Sequence, residues 1–143
     1  GMRDGLFIQW YENGKKEIQG LYKDGKKSGL WIDWFKGGRK YQEYDYINGL
    51  LHGHWTTWGE DGYKTIERQY RNDKRDGLTT FYGFGVEVSP GEKMMEINYK
   101  NGKQEGRYRT WDNSGNLESE EYYKEGRKLS YEELKRMKDI LGK

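Results

Sequence analysis

The chain contains no cysteine, so disulfides, cysteine-ligated zinc and thiol catalysis are excluded. A single proline, Pro90, leaves nearly every backbone N–H free to join a sheet. No run approaches the about 20 apolar residues that a membrane-spanning helix needs. Met2-Arg3-Asp4-Gly5 leads straight into patterned sequence, so no signal peptide is expected, and the absent cysteines fit a cytoplasmic place. Net charge is also scarce: 26 basic residues face 24 acidic ones, too even a balance for long-range attraction to nucleic acid. Aliphatic residues are few, and mean hydropathy is −1.28. That value alone would fit disorder, but aromatic rings make up 16% of the chain and glycine contributes 21 residues. Large rings on a polar chain rich in turns fit a thin sheet.

The glycines recur. Gly5, Gly29, Gly53 and Gly77 are 24 residues apart, and Gly106 follows after 29. Gly14, Gly38, Gly62, Gly91 and Gly115 keep the same step, with the same five-residue insertion in the fourth unit. Tyr22, Tyr46, Tyr70, Tyr99 and Tyr123 form another column; Trp10, Trp34, Trp58, Tyr82 and Trp111 form one more. A fixed period of this length is the signature of a repeat array. Asn13-Gly14 and its equivalents mark one turn of each unit, and Asp24-Gly25 and its equivalents mark the second. Runs such as Leu30 to Phe35 between them have strand length and composition. Turns this short force sequential antiparallel pairing. The expected fold is therefore all-β: an open, elongated single-sheet meander of about ten strands, in five units at about 5–28, 29–52, 53–76, 77–105 and 106–128. Register places Tyr22 opposite Gly5, and likewise in every unit, where a ring would shield the bare glycine backbone.

The pattern changes period at the end. Ser130 and Glu133 form a capping box, and Leu134, Met137, Ile140 and Leu141 share a helical face. Residues 129–143 are expected to form a capping helix over the last strand, Glu118 to Lys124. The first strand, Leu6 to Tyr11, has no such cap, which makes a homodimer through that edge an expected mode of association.

Three segments carry a family resemblance: Tyr22-Lys-Asp-Gly-Lys-Lys-Ser-Gly-Leu-Trp31, Tyr46-Ile-Asn-Gly-Leu-Leu-His-Gly-His-Trp55 and Tyr99-Lys-Asn-Gly-Lys-Gln-Glu-Gly-Arg-Tyr108. They resemble the MORN repeat, most closely its bacterial variant, and the unit from Tyr70 to Thr79 departs from it at Asp73 and Thr79. The resemblance covers about residues 5 to 128. It implies stacked hairpins and a non-enzymatic interaction or membrane-associated module, in some bacterial relatives an antitoxin-like one.

Catalytic patterns are weak. His52 and His54 share a strand face but have no third ligand at a fixed spacing, so no metal site is expected. Glu43, Glu67, Glu96 and Glu120 form a column that reads as a solvated face paired with lysine and arginine. Gly83-Phe84-Gly85 is too short for a phosphate loop, and Asn113-Ser114-Gly115 lacks the flanks of a nucleophile elbow. No cofactor is expected. The aromatics are the candidates for binding. Trp31 and Trp55 lie on the opposite face from Trp34 and Trp58, and one column is expected to form the core. The candidate partner-binding set is Trp31, Trp34, Trp55, Trp58, Tyr82, Phe84 and Trp111, with the loop around Gly83 to Ser89, and the expected partner is a protein. Lys26, Lys27, Lys74, Arg75 and Lys103 form an alternative rim for anionic lipid. Carbohydrate stacked on the aromatic stripe is a third expectation. Nucleic acid is not expected, since the acidic column would repel its backbone.

Overall fold

Each turn returns the chain beside the strand it has just left, and the pairing follows from that. The computed structural model describes residues 2–83 and 89–142. Its strands are β1 (Gly5–Trp10), β2 (Lys16–Lys23), β3 (Lys26–Trp34), β4 (Lys40–Ile47), β5 (Leu50–Trp58) and β6 (Lys64–Arg71), then β7 (Lys74–Arg75), β8 (Gly77–Tyr82), β9 (Lys93–Lys100), β10 (Lys103–Trp111), β11 (Leu117–Lys124) and β12 (Arg127–Lys128). All belong to one open antiparallel meander in chain order, with β7 pairing β6 beside β8. Among the described residues a single helix, α1 (Tyr131–Leu141), follows. The described residues hold twelve strands rather than about ten for two reasons. The third unit, whose second turn lacks glycine, breaks its long strand at Asp76 into β7 and β8, and β12 adds a short pair after β11.

The second turns are two-residue hairpins. Asp24 and Gly25 have φ of 50° and 75°, and Asn72 and Asp73 have 49° and 65°. Two consecutive positive φ values define the type I′ turn, whose twist matches that of the flanking strands. These turns also stack. The Gly25 N–H donates to the Arg3 carbonyl at 2.8 Å, Gly49 to Lys27 at 2.9 Å, Asp73 to Leu51 at 2.9 Å, Gly102 to Arg75 at 2.8 Å and Gly126 to Gln104 at 2.9 Å. Units two to five are thus each bonded to the preceding unit at the same point, and the first unit to the residues before it.

The register is as expected: Gly5 pairs with Tyr22, Gly29 with Tyr46, Gly53 with Tyr70, Gly77 with Tyr99 and Gly106 with Tyr123. A Cβ would meet nothing within 4 Å at Gly5 or Gly29, and at Gly53 its nearest neighbour would be Asp45, so crowding is not the reason for glycine at these sites. What requires glycine is a left-handed backbone, φ +64° at Gly29 and +93° at Gly53, within a bulge. Between Gln19↔Ile32 and Leu21↔Ser28, β2 advances two residues while β3 covers four. The same irregularity recurs between β4 and β5 and between β9 and β10, and bulges of this kind add twist.

Alternate side chains divide between two faces. On one lie Phe7, Tyr22, Trp31, Tyr44, Tyr46, Trp55 and Tyr70, ring against ring. Trp31 is 1% exposed; it stacks on Phe7 with centroids 5.8 Å apart and meets Tyr22 edge-on at 5.1 Å. This Trp31 face is the core. The other, the Trp34 face, carries Trp10, Trp34, Trp58, Tyr82 and Trp111.

The helix forms with the expected cap: Ser130 Oγ accepts the Glu133 N–H at 3.3 Å, and Glu133 Oε2 accepts the Ser130 N–H at 2.9 Å. It lies over the last strand and beyond it: Met137 and Leu141 face Tyr122 of β11, and also Leu78, Asn98 and Arg107, across an open cleft of about 550 Å³ on the Trp34 face. Ile140 and Leu141 remain 75% and 76% exposed. At the β11 edge, β12 pairs with Tyr123 and Lys124.

Candidate partner-binding face

The Trp34 face is built by two-residue alternation on strands joined through tight turns. Each aromatic of its column ends a strand just before the first turn. The residue paired with it across that turn is Lys16 for Trp10, Lys40 for Trp34, Lys64 for Trp58 and Lys93 for Tyr82. Lysine then reaches the ring of the next unit: Lys16 Nζ lies 5.7 Å from the Trp34 centroid, Lys40 5.0 Å from Trp58 and Lys93 5.9 Å from Trp111. The ammonium lies over the indole, a favourable cation–π placement. Successive indoles are two strands apart, about 9.6 Å.

The glutamate column pairs as expected. Glu43 accepts from Lys40 at 2.7 Å, Glu67 from Lys64 at 2.6 Å, Glu96 from Lys93 at 2.5 Å and Glu120 from Arg109 at 2.6 Å. Burial pushes the Glu67 carboxyl up, but hydrogen bonds from Lys64 and Tyr82 outweigh it and hold it below the usual carboxylate value. Burial, and then Glu67 as acceptor, push the Tyr82 phenol up to about 12. In the first unit the column holds Gln19, to which Lys16 donates at 2.6 Å.

Between indoles the turn glycines leave space. A recess of about 510 Å³ lies among Trp10, Trp34, Lys15, Lys16, Gly14 and Gly38, and a smaller one of about 290 Å³ beside Arg39, Lys40, Trp58 and Gly62. Trp10 is 54% exposed, while Trp34, Trp58, Tyr82 and Trp111 are half-buried.

The structure sorts the expected binding residues. Trp34, Trp58, Tyr82 and Trp111 share one open face. Trp31 is sealed in the core, and Trp55 is packed between Tyr44 and Tyr70 with its Nε1 donating to Gln42 Oε1 at 3.1 Å. Trp55 is half-buried, as Trp34, Trp58 and Trp111 are. Phe84 lies outside the described residues. Trp10 belongs to the set although the expectation omitted it; its place in the 24-residue column was the available signal.

The basic rim also divides. Lys27 lies 4.2 Å over Trp31 and 5.1 Å over Tyr46, and Arg75 lies 4.4 Å over Tyr99 while donating to its hydroxyl at 2.9 Å. Both cover core rings rather than project from the rim. Lys103 pairs with Glu125 at 2.8 Å, while Lys26 and Lys74 are exposed. The turns display another pattern: Lys23↔Lys26, Arg71↔Lys74, Lys100↔Lys103 and Lys124↔Arg127 are directly opposed cations, and Ile47↔Leu50 takes their place at the second unit.

Side chains capable of acid–base chemistry make contacts within the sheet. The Tyr44 hydroxyl donates to Asp33 Oδ1 at 3.0 Å, and burial, then Asp33, pushes that phenol far above its ordinary value. His52 Nδ1 lies 3.4 Å from Asn72 Oδ1. No family model matches the chain, and no curated protein matches it.

Proposed function

We propose that this chain is a non-catalytic, MORN-like repeat scaffold that holds a protein partner on its Trp34 face. One observation carries the reading. Of two aromatic columns at equal spacing, one is packed ring on ring while the other stands open beside glycine-floored recesses. Indoles with one face packed and the other open are the side chains that most often anchor protein interfaces. An antitoxin- or immunity-like role is the form that the family resemblance implies. The test is affinity capture from the native organism with wild type and with Trp34→Ala/Trp58→Ala, each checked for an intact fold by circular dichroism. Partner capture by the wild type and at least about 2 kcal/mol weaker binding by the double variant supports the reading. Unchanged affinity in a folded double variant rejects it.

A second reading has its own observation. Opposed like charges destabilise a hairpin, yet four second turns carry them, and the fifth displays Ile47 and Leu50, 52% and 41% exposed. A ridge of cations around an aliphatic pair fits an anionic membrane surface. Pelleting with phosphatidylserine vesicles that fades with salt and requires Lys23, Lys26, Arg71 and Lys74 would favour it; no pelleting would reject it.

A further inference from the structure

Two recesses on the Trp34 face are each lined by a lysine of the same column, and those lysines differ in partner. In units two to four the lysine flanking each aromatic, Lys40, Lys64 or Lys93, is neutralised by a glutamate three residues on, at 2.7, 2.6 and 2.5 Å. In the first unit that glutamate is replaced by Gln19, whose side-chain oxygen accepts from Lys16 at 2.6 Å without cancelling its charge. Lys16 lines the recess of about 510 Å³, and so does Lys15, whose Nζ is held by the Gly37 carbonyl at 2.5 Å. Among the described residues lining that recess none is acidic. Its walls are the indoles of Trp10 and Trp34, and Trp10 is 54% exposed. Two cations thus stand between two rings, and the residue that would neutralise one of them is uncharged at this place alone in the first four units.

We infer that this recess binds a carboxylate of an acidic segment of the protein partner, and that Gln19 is the specificity-determining residue that leaves it cationic. The inference rests on the scaffold reading above. Apolar atoms beside the carboxylate lie along the indoles, and the carboxylate accepts from Lys15 and Lys16. A charge-assisted bond in a recess partly shielded by rings is stronger than one on open surface. The other units supply the control: Gln19→Glu installs the lysine–glutamate pair already present beside Trp34, Trp58 and Tyr82, so the fold tolerates it. The converse, Glu43→Gln, frees Lys40 beside Trp58 and creates a second cationic recess.

The experiment is fluorescence anisotropy with a labelled decapeptide of alternating tyrosine and glutamate, against the same peptide with glutamine for glutamate. Wild type should prefer the glutamate peptide, Gln19→Glu should weaken that binding about fivefold, and Glu43→Gln should strengthen it by a similar factor. Melting temperatures of both variants should stay near wild type; if one does not, the other still decides. Equal binding of the two peptides, or no effect of either folded variant, overturns the inference. Tighter binding of a galacturonate trimer than of the peptide overturns the assignment to a protein segment. Loss of the captured partner in Trp34→Ala/Trp58→Ala with none in Gln19→Glu rejects the recess and leaves the scaffold standing; loss in neither rejects both.

Discussion

At position 20 the chain puts glycine beneath an indole. A Cβ there would sit 2.1 Å from the Trp31 ring, closer than any packing allows. Gly29 is glycine for a different reason, with open space around it and φ of +64°, and Gly37 shows neither restriction. The three separate two causes. Gly20→Ala should destabilise by about 1–3 kcal/mol through overpacking, although alanine is ordinarily the better strand residue. Gly29→Ala should lose about 1–2 kcal/mol to the left-handed backbone. Gly37→Ala should be neutral or gain about 0.4–1 kcal/mol by stiffening the unfolded chain. Urea unfolding measures all three, and an unperturbed Gly20→Ala would mean that Trp31 does not lie where described. Gly29 could be singled out in the sequence because it stands in a column. Gly20 could not, since its equivalents are Tyr44, Arg68, Ile97 and Glu121, and only register and ring placement reveal the contact.

Among elements, the helix shows which features of a fold are local. Its start was legible because Ser130 and Glu133 bond within one turn. Its reach beyond the last strand was not, because an apolar helical face fits a strand edge and a sheet face equally. Arg127, in β12, donates to both Glu133 oxygens, at 3.0 and 2.6 Å. That pair, followed by the Ser130 N–H, lowers the Glu133 carboxyl to about 2. A carboxyl whose folded value lies below its unfolded value of about 4.3 stabilises above 4.3 and loses that contribution as pH falls toward the folded value. Helical ellipticity at 222 nm should therefore decline between about pH 4.5 and 2, and Arg127→Ala should flatten this decline. An identical titration in the variant would exclude the pair as its cause. Ser130→Ala should cost about 1 kcal/mol of helix stability. Because Ile140 and Leu141 stay exposed, deleting residues 131–143 should lower the melting temperature less than loss of four buried apolar side chains would.

For the molecule as a whole, the meander was legible in the glycine columns because every connection is short. Which aromatic column becomes core was not. Trp31 and Trp34 have equal spacing and similar neighbours, and strand alternation says only that they part. The register decides between them: on one face Trp31 finds Gly20 beneath it and Phe7, Tyr22 and Tyr46 around it, while on the other Trp34 finds lysine and turn glycine. The break at Asp76 follows a second turn without glycine, and the helix site depends on packing between units distant in sequence.

The bond from each second turn to the unit before it makes this array countable. A duplicated stretch 29–52 would enter in phase, since His52 of the first copy is followed by Gly29 of the second, the glycine equivalent to Gly53, and each turn would find its expected carbonyl. Such a chain should widen the sheet by two strands, about 9.6 Å, and melt at a higher temperature as one more neighbour interface is added. Small-angle scattering and a thermal melt would check both, and an aggregated or unshifted product would show that the units do not add. The added unit would strengthen no individual contact. It would raise the number of indoles that one extended ligand can engage at once, so affinity for a long ligand should climb through effective concentration while affinity for a short one stays fixed.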